Sequence, residues 1–125
     1  MLKDKPAFSG FSTNDIEAAK RFYGDKLGLD VRDTEMGFEL HVGPTHVFIY
    51  PKADHQPATF TVFNFEVADI DAAVDELVAA GVTMERYEGM NQDEKGIARG
   101  KAANMGPDIA WFTDPAGNII SVLAN

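Results

Sequence analysis

The residues able to exchange protons or hold a metal are few. Of three histidines, His41 and His46 fall in alternating apolar and polar stretches, while His55 lies in a proline-flanked segment. His41 can serve as an acid or base, or stand as a hydrogen-bonded structural histidine. Among twenty acidic residues, Glu66 sits on what alternation makes the cleft side of a strand, where a carboxylate needs a cation or a hydrogen bond. It is a candidate general base, an anchor for a cationic ligand, or the partner of an Arg or Lys. His41, His46 and Glu66 together could offer a divalent metal a relocated, non-standard site. No cofactor is otherwise expected. With no cysteine in the chain, disulfides, thiolate nucleophiles and thiolate metal sites are excluded.

A second group of residues suits capture rather than catalysis. Phe8, Phe48, Tyr50 and Trp111 can stack against a planar or apolar ligand, and Ser12, Asn64 and Ser121 can offer it hydrogen bonds. Filling the floor of a cleft is the alternative use of the same aromatic residues.

These side chains need elements to position them. Phe63, Phe65 and Val67 alternate, whereas Ile70, Ala73, Val74, Leu77 and Val78 recur with helical spacing, so a strand over 60–67 leads into a helix over 69–80. Asp69 is placed to cap that helix and Gly81 to end it. An earlier stretch repeats the plan: a strand from Phe8 to Thr13, a cap at Asn14 or Asp15, a stripe of Ile16, Ala19, Tyr23 and Leu27, and a stop at Gly28. Superposing Phe8 on Val62 brings Phe11 onto Phe65 and Asp15 onto Asp69, and the two terminating glycines then differ by one residue.

Short strands follow each helix. In the first half they cover 29–34, 37–42 and 46–50, with Phe38, Leu40, Val42, Val47 and Ile49 toward the helix and Glu39, His41, His46, Phe48 and Tyr50 away from it. In the second half they cover 82–87, 109–113 and 119–123. Asn64, Glu66, Trp111 and Thr113 then share the face away from the helix. Module one runs from about 7 to 50, a linker from 51 to 59, and module two from about 60 to 125. The interval Glu88–Pro107, rich in glycine and without periodicity, is a lid or an inert insertion.

At 125 residues and 45% hydrophobic content, the chain suits one globular domain. No apolar run approaches the ~20 residues of a membrane helix, and MLKDKPAF lacks the apolar core of a secretory signal. A cytoplasmic location is expected. The net charge of −9 opposes nucleic-acid and anionic membrane partners and favours cationic ligands.

The paired βαβββ pattern, the helix sequence FYGDKLGL and the Asp114-Pro115-Ala116-Gly117-Asn118 turn resemble the vicinal oxygen chelate superfamily, which includes glyoxalase I, extradiol dioxygenases and the bleomycin- and fosfomycin-resistance proteins. The resemblance implies an α+β fold of two tandem βαβββ modules forming a curved mixed sheet around a cleft, helices outside, in a homodimer. In metal-dependent members four strand positions supply His or carboxylate ligands. Here the corresponding positions are Phe8, Val62, Ser121 and one near Phe48 or Tyr50, so the metal site is expected to be missing. The expected function is metal-independent binding of a small, cationic or aromatic molecule, such as an antibiotic or metabolite. The alternative is a lyase, isomerase or other enzyme of the superfamily with displaced ligands, or with Glu66 and His41 as acid and base.

Overall fold

The computed structural model describes all residues 1–125, which divide into two compact units, Met1–Gln56 and Pro57–Asn125. Each unit has the expected βαβββ order, and each builds a four-stranded mixed sheet.

In the first unit, strand β1 (Ser9–Thr13) hands over to helix α1 (Ile16–Lys20). Asp15 caps the helix: its carboxylate accepts the amide of Ala18 at 3.0 Å, while the hydroxyl of Thr13 accepts the amide of Asp15 at 3.2 Å. These bonds satisfy donors that a helix start leaves unpaired. The helix continues as a π-helical segment over Arg21–Lys26, closed by the Leu27 amide on the Phe22 carbonyl at 3.0 Å. Gly28, at φ 72°, then reverses the chain, a conformation that costs glycine little.

Strands β2 (Asp30–Asp33), β3 (Phe38–Val42) and β4 (Thr45–Pro51) follow, in the sheet order β1-β4-β3-β2. β1 and β4 are parallel; the other pairs are antiparallel. Phe38, Leu40, Val47 and Ile49 are buried, as their alternation requires, beside Phe11, Ala19, Phe22 and Tyr23. Val42, expected on the same face, is only half-buried at the strand end. Tyr23 forms the centre of this core, with ring centroids 5.1 Å from Phe22, 6.3 Å from Phe11 and 6.5 Å from Phe38.

Gly37 enters β3 so close to β4 that an ideal Cβ would lie 2.2 Å from the Ile49 carbonyl oxygen. Backbone cannot yield there without disturbing the ladder. Gly37→Ala should therefore lose about 1–3 kcal/mol of stability, read as a lower urea midpoint at unchanged slope. A midpoint equal to wild type would mean that the strands separate without penalty.

In the second unit, β5 (Thr61–Glu66) leads to α2 (Ile70–Ala79). Asp69 accepts the Ala72 amide at 3.1 Å, and Gly81 closes the helix at φ 92°. Ile70 and Val74 are buried, but Val78, expected on that stripe, is 55% exposed. The sheet order is β5-β8-β7-β6, with β6 at Ala98–Arg99, β7 at Asp108–Thr113 and β8 at Ile119–Ala124. Val62 occupies an irregularity in the parallel β5–β8 ladder.

The strand expected over 82–87 does not form. A backbone bond still reaches β7, from the Glu85 amide to the Trp111 carbonyl at 2.8 Å. The side chain of Gln92 occupies the neighbouring backbone groups: its oxygen accepts the Tyr87 amide at 2.8 Å, and its amide donates to Glu85 O at 2.9 Å and Gly96 O at 2.7 Å. The two-residue β6 supplies the outer pairing instead, Ala98 opposite Ile109 and Arg99 opposite Asp108.

The Asp114–Asn118 turn is more than a reversal, for both residues are buried. One Asp114 oxygen accepts the amides of Ala116 (2.9 Å) and Asn118 (3.0 Å), and the other accepts the Asn118 carboxamide at 2.9 Å. Gly117 completes the turn at φ 84°.

Candidate functional site

The face of the first sheet turned away from its helix carries the expected aromatic and titratable groups. Phe8 immediately precedes β1 and stacks on His46, centroids 5.0 Å apart. His46 lies directly across from His41 in the β3–β4 ladder, with rings stacked at 5.5 Å and 15°. His41 Nε2 and Glu39 Oε1 are 2.8 Å apart, so the histidine's partner is a neighbour on its own strand. Phe48 and Tyr50 form a second stack at 5.7 Å. Asp30, opposite His41, is held below the usual carboxylate range, first by hydrogen bonds from Arg32.

Between these groups lies an open depression of about 370 Å³ lined by Phe8, Thr34, Glu35, Met36, Glu39 and Phe48. Phe8 and Met36 are 63% and 72% exposed. Gly10 lets β1 run close to β4, since a Cβ there would stand 3.0 Å from the Phe48 carbonyl. Ser12, expected as a ligand contact, is bonded to His55 Nδ1 at 2.6 Å. With the Lys52 amide on the Thr13 carbonyl (2.9 Å), this bond fastens the segment after β4 to the end of β1.

The open face of the second sheet holds the rest of the expected residues. Asn64, Ser121 and Trp111 form one row across β5, β8 and β7. The hydroxyl of Ser121, fully buried, donates to Asn64 Oδ1 at 2.6 Å. Trp111 Nε1 donates to the Thr61 hydroxyl at 3.2 Å, and its ring meets the edge of Tyr87 at 5.6 Å. Glu66 is exposed and accepts only a long bond from the Asn125 carboxamide, 3.3 Å. It has no Arg or Lys partner within its unit, and His41 belongs to the other unit. Glu85, absent from the expected set, accepts the Thr113 hydroxyl at 3.4 Å. Burial, and then the charge of Glu85, push the Tyr87 hydroxyl up, and that hydroxyl is enclosed without a hydrogen-bond partner.

Sequence reasoning missed Glu35, Met36 and Glu39 as a group. The signal available was Glu39 two residues before His41 on one strand face; nothing local placed the β2–β3 turn beside Phe8.

The segment 88–107 is anchored. Arg99 donates two bonds to Asp71 of α2 (3.0 and 2.8 Å) and one to Asp93 (2.9 Å), and Lys95 pairs with Asp75 at 3.1 Å. Hydrogen bonding from Arg99 brings the Asp71 carboxyl down to about 2 against the opposing effect of burial. Asp93 also accepts the amides of Lys95 and Ile97, both at 2.9 Å, and Ile97 is fully buried. The segment is thus held by charge above and a core side chain below.

Two βαβββ units, each with an aromatic and polar open sheet face, define the class: a duplicated α+β fold. The chain belongs to the Glyoxalase/Bleomycin resistance protein/Dioxygenase superfamily, whose profile it matches over residues 8–122. Similar solved structures include the glyoxalase family protein from Enterococcus faecalis (18% identity, 98% of this chain and 99% of that one, TM-score 0.70). A virulence protein from Salmonella typhimurium is similar at 20% identity, covering 99% and 98% of the two chains, TM-score 0.68. The genomically encoded fosfomycin resistance protein FosX from Listeria monocytogenes is similar at 12% identity, 99% and 95% coverage, TM-score 0.69. At such identities the likeness concerns the fold. No curated protein matches the chain at the sequence level, and no helix is long and apolar enough to cross a membrane.

The positions that resemblance assigns to metal ligands do not suit a divalent ion. Phe8 and Val62 have no donor atom, and Ser121 spends its hydroxyl on Asn64. No group of three or more His, Asp or Glu side chains is arranged to hold a metal elsewhere.

Proposed function

We propose that the chain binds a small organic cation with a planar or apolar body, without a metal, and serves to sequester it. One observation carries this reading: the depression on the first sheet joins two aromatic rings and a thioether, Phe8, Phe48 and Met36, to the carboxylates Glu35 and Glu39. A cation over an aromatic face gains about 0.5–2 kcal/mol, and a nearby carboxylate adds attraction while sparing the aromatic contact. The net charge of −9 raises the local concentration of such a ligand. Family members named for bleomycin and fosfomycin resistance make an antibiotic one fitting ligand, and a metabolite of the same chemistry another. A lyase or isomerase built on Glu66 and His41 draws on no comparable feature, since each has its own partner in its own unit. A homodimer and a cytoplasmic location accord with the resemblance and the acidic, cysteine-free composition.

The test is calorimetric titration with N-methylquinolinium, neutral quinoline and naphthalene-2-sulfonate. The cation should bind most tightly and the sulfonate not at all. Glu39→Gln and Phe48→Ala should each weaken the cation roughly tenfold. Equal affinity for the three probes, or a cation affinity untouched by both substitutions, would sink the proposal.

A further inference from the structure

We propose a second ligand site, in the unit Pro57–Asn125, that takes a compact, neutral, apolar molecule bearing one hydroxyl or carbonyl group. It stands independently of the cation site, on different residues and opposite ligand chemistry.

The site is a cavity of about 380 Å³ under the segment 89–107, bounded by Met90, Ala98, Ala103, Met105, Pro107 and Ile109. That volume lies at the lower end of the range of about 300–1,000 Å³ typical of small-molecule pockets. Ile109 forms part of the wall. Being two residues from Trp111 on β7, it shares that residue's face of the sheet. Ala98, paired with Ile109, is small enough to leave the space open.

The lining chemistry selects the ligand. Arg99 and Asp93, the charged residues at the cavity, are bonded to each other, and Arg99 also to Asp71, so no unbalanced charge is left for an ionic ligand. Gln92 is likewise spent on backbone groups. An apolar body therefore meets alkyl and thioether surface. Asn91 at the rim supplies a carboxamide for one polar group. Met90 and Met105, 44% and 83% exposed, flank the space with flexible, polarisable side chains that adapt to more than one ligand shape. The frame beneath them does not need to be ordered by the ligand: the ion pairs to α2, the buried Ile97 and the Gln92 bonds already fix it, which lowers the entropy cost of binding.

The neutral fluorophore N-phenyl-1-naphthylamine tests the site on the intact chain. Trp111 is the sole tryptophan, and its backbone is about 7 Å from that of Ile109 along the strand, so dye in the cavity should accept its excitation energy. Saturable binding with strong transfer from Trp111 is expected. Ala98→Phe, which fills the cavity, should weaken the dye roughly tenfold, and Met105→Glu, at an exposed position, should weaken it several-fold by opposing apolar contact at the mouth. Should Ala98→Phe fail to fold, Ala103→Phe and Met105→Glu decide. Absence of transfer, or affinity unchanged in the folded variants, overturns the site. Dye binding abolished by Phe48→Ala would put the dye on the first sheet and overturn it equally. Failure here leaves the quinolinium titration untouched, because that experiment reads a different probe on other residues.

Discussion

Asp114→Ala should destabilise the protein by about 3 kcal/mol or more, the largest loss expected of any single side chain outside the apolar cores. The substitution leaves the Ala116 amide, the Asn118 amide and the Asn118 carboxamide without the acceptor that they now share. The two Asn118 donors are buried and the Ala116 amide is half-buried; each buried donor that loses its acceptor costs about 1–3 kcal/mol. Asp114→Asn separates geometry from bonding. It keeps one acceptor oxygen for the two backbone amides but sets an NH2 group against the NH2 of Asn118, so it should lose roughly half as much. The reciprocal change, Asn118→Asp in the Asp114→Asn background, restores one donor to one acceptor and should recover part of that loss. Denaturant melts of wild type, Asp114→Asn, Asn118→Asp and the double variant form a double-mutant cycle. Strict additivity would show that the pair is not coupled.

Arg99→Met should release the segment 88–107 with a smaller change in global stability. The guanidinium holds Asp71 and Asp93 and lies 4.0 Å from Asp108; without it, Asp71 keeps Lys95 as its cation, while Asp93 and Asp108 keep only backbone amides. Limited thermolysin digestion should cut within 88–107 roughly tenfold faster, since cleavage follows the population of the opened segment. The pH dependence follows from Asp71. Its carboxyl stands at about 2 in the folded chain, below the ordinary value of 3.8. The ion pair thus contributes its full stabilisation above about pH 4 and loses it as pH falls toward 2. Both partners are substantially exposed, so salt should weaken the effect. Digested instead with pepsin, which cleaves in acid, the variant and wild type should converge in cleavage rate as pH falls toward 2. A difference that persists undiminished at pH 2 would assign the anchoring to packing of Ile97 instead.

Local signals carried the fold a long way. Asp15 and Asp69 cap the helices they precede, and Gly28 and Gly81 take the positive φ that ends them. Alternation assigned Phe38, Leu40, Val47 and Ile49 to the core, and Phe8, His46, Phe48 and Tyr50 to the opposite face. What stayed hidden depends on partners distant in sequence or on side chains that imitate backbone. Residues 82–87 have the composition of a strand, but whether they pair is decided by Gln92, whose amide takes the bonds a ladder would use. Asp114 and Asn118 have the composition of an exposed turn; their burial follows from the packing around β7 and β8. The depression beside Phe8 needs the turn carrying Glu35 and Met36 to come across from β2, which no periodicity announces. Glu66 and His41 were paired from the sequence by residue type; within their own units Glu66 accepts from Asn125 and His41 meets Glu39.

The π-helical segment Arg21–Lys26 has a meaning beyond the helix that contains it. From cap to terminating glycine, the first unit is one residue longer than the second, Asp15–Gly28 against Asp69–Gly81. A widened turn is how a helix absorbs a single inserted residue while its two ends keep their phase. The widened coil thus takes up the extra residue of the first unit, and Gly24, whose Cβ would press to 3.2 Å from Val31, leaves room for it against β2. Deleting one residue within Arg21–Lys26 should return the helix to regular α-helical pairing with its cap and its terminating glycine in place.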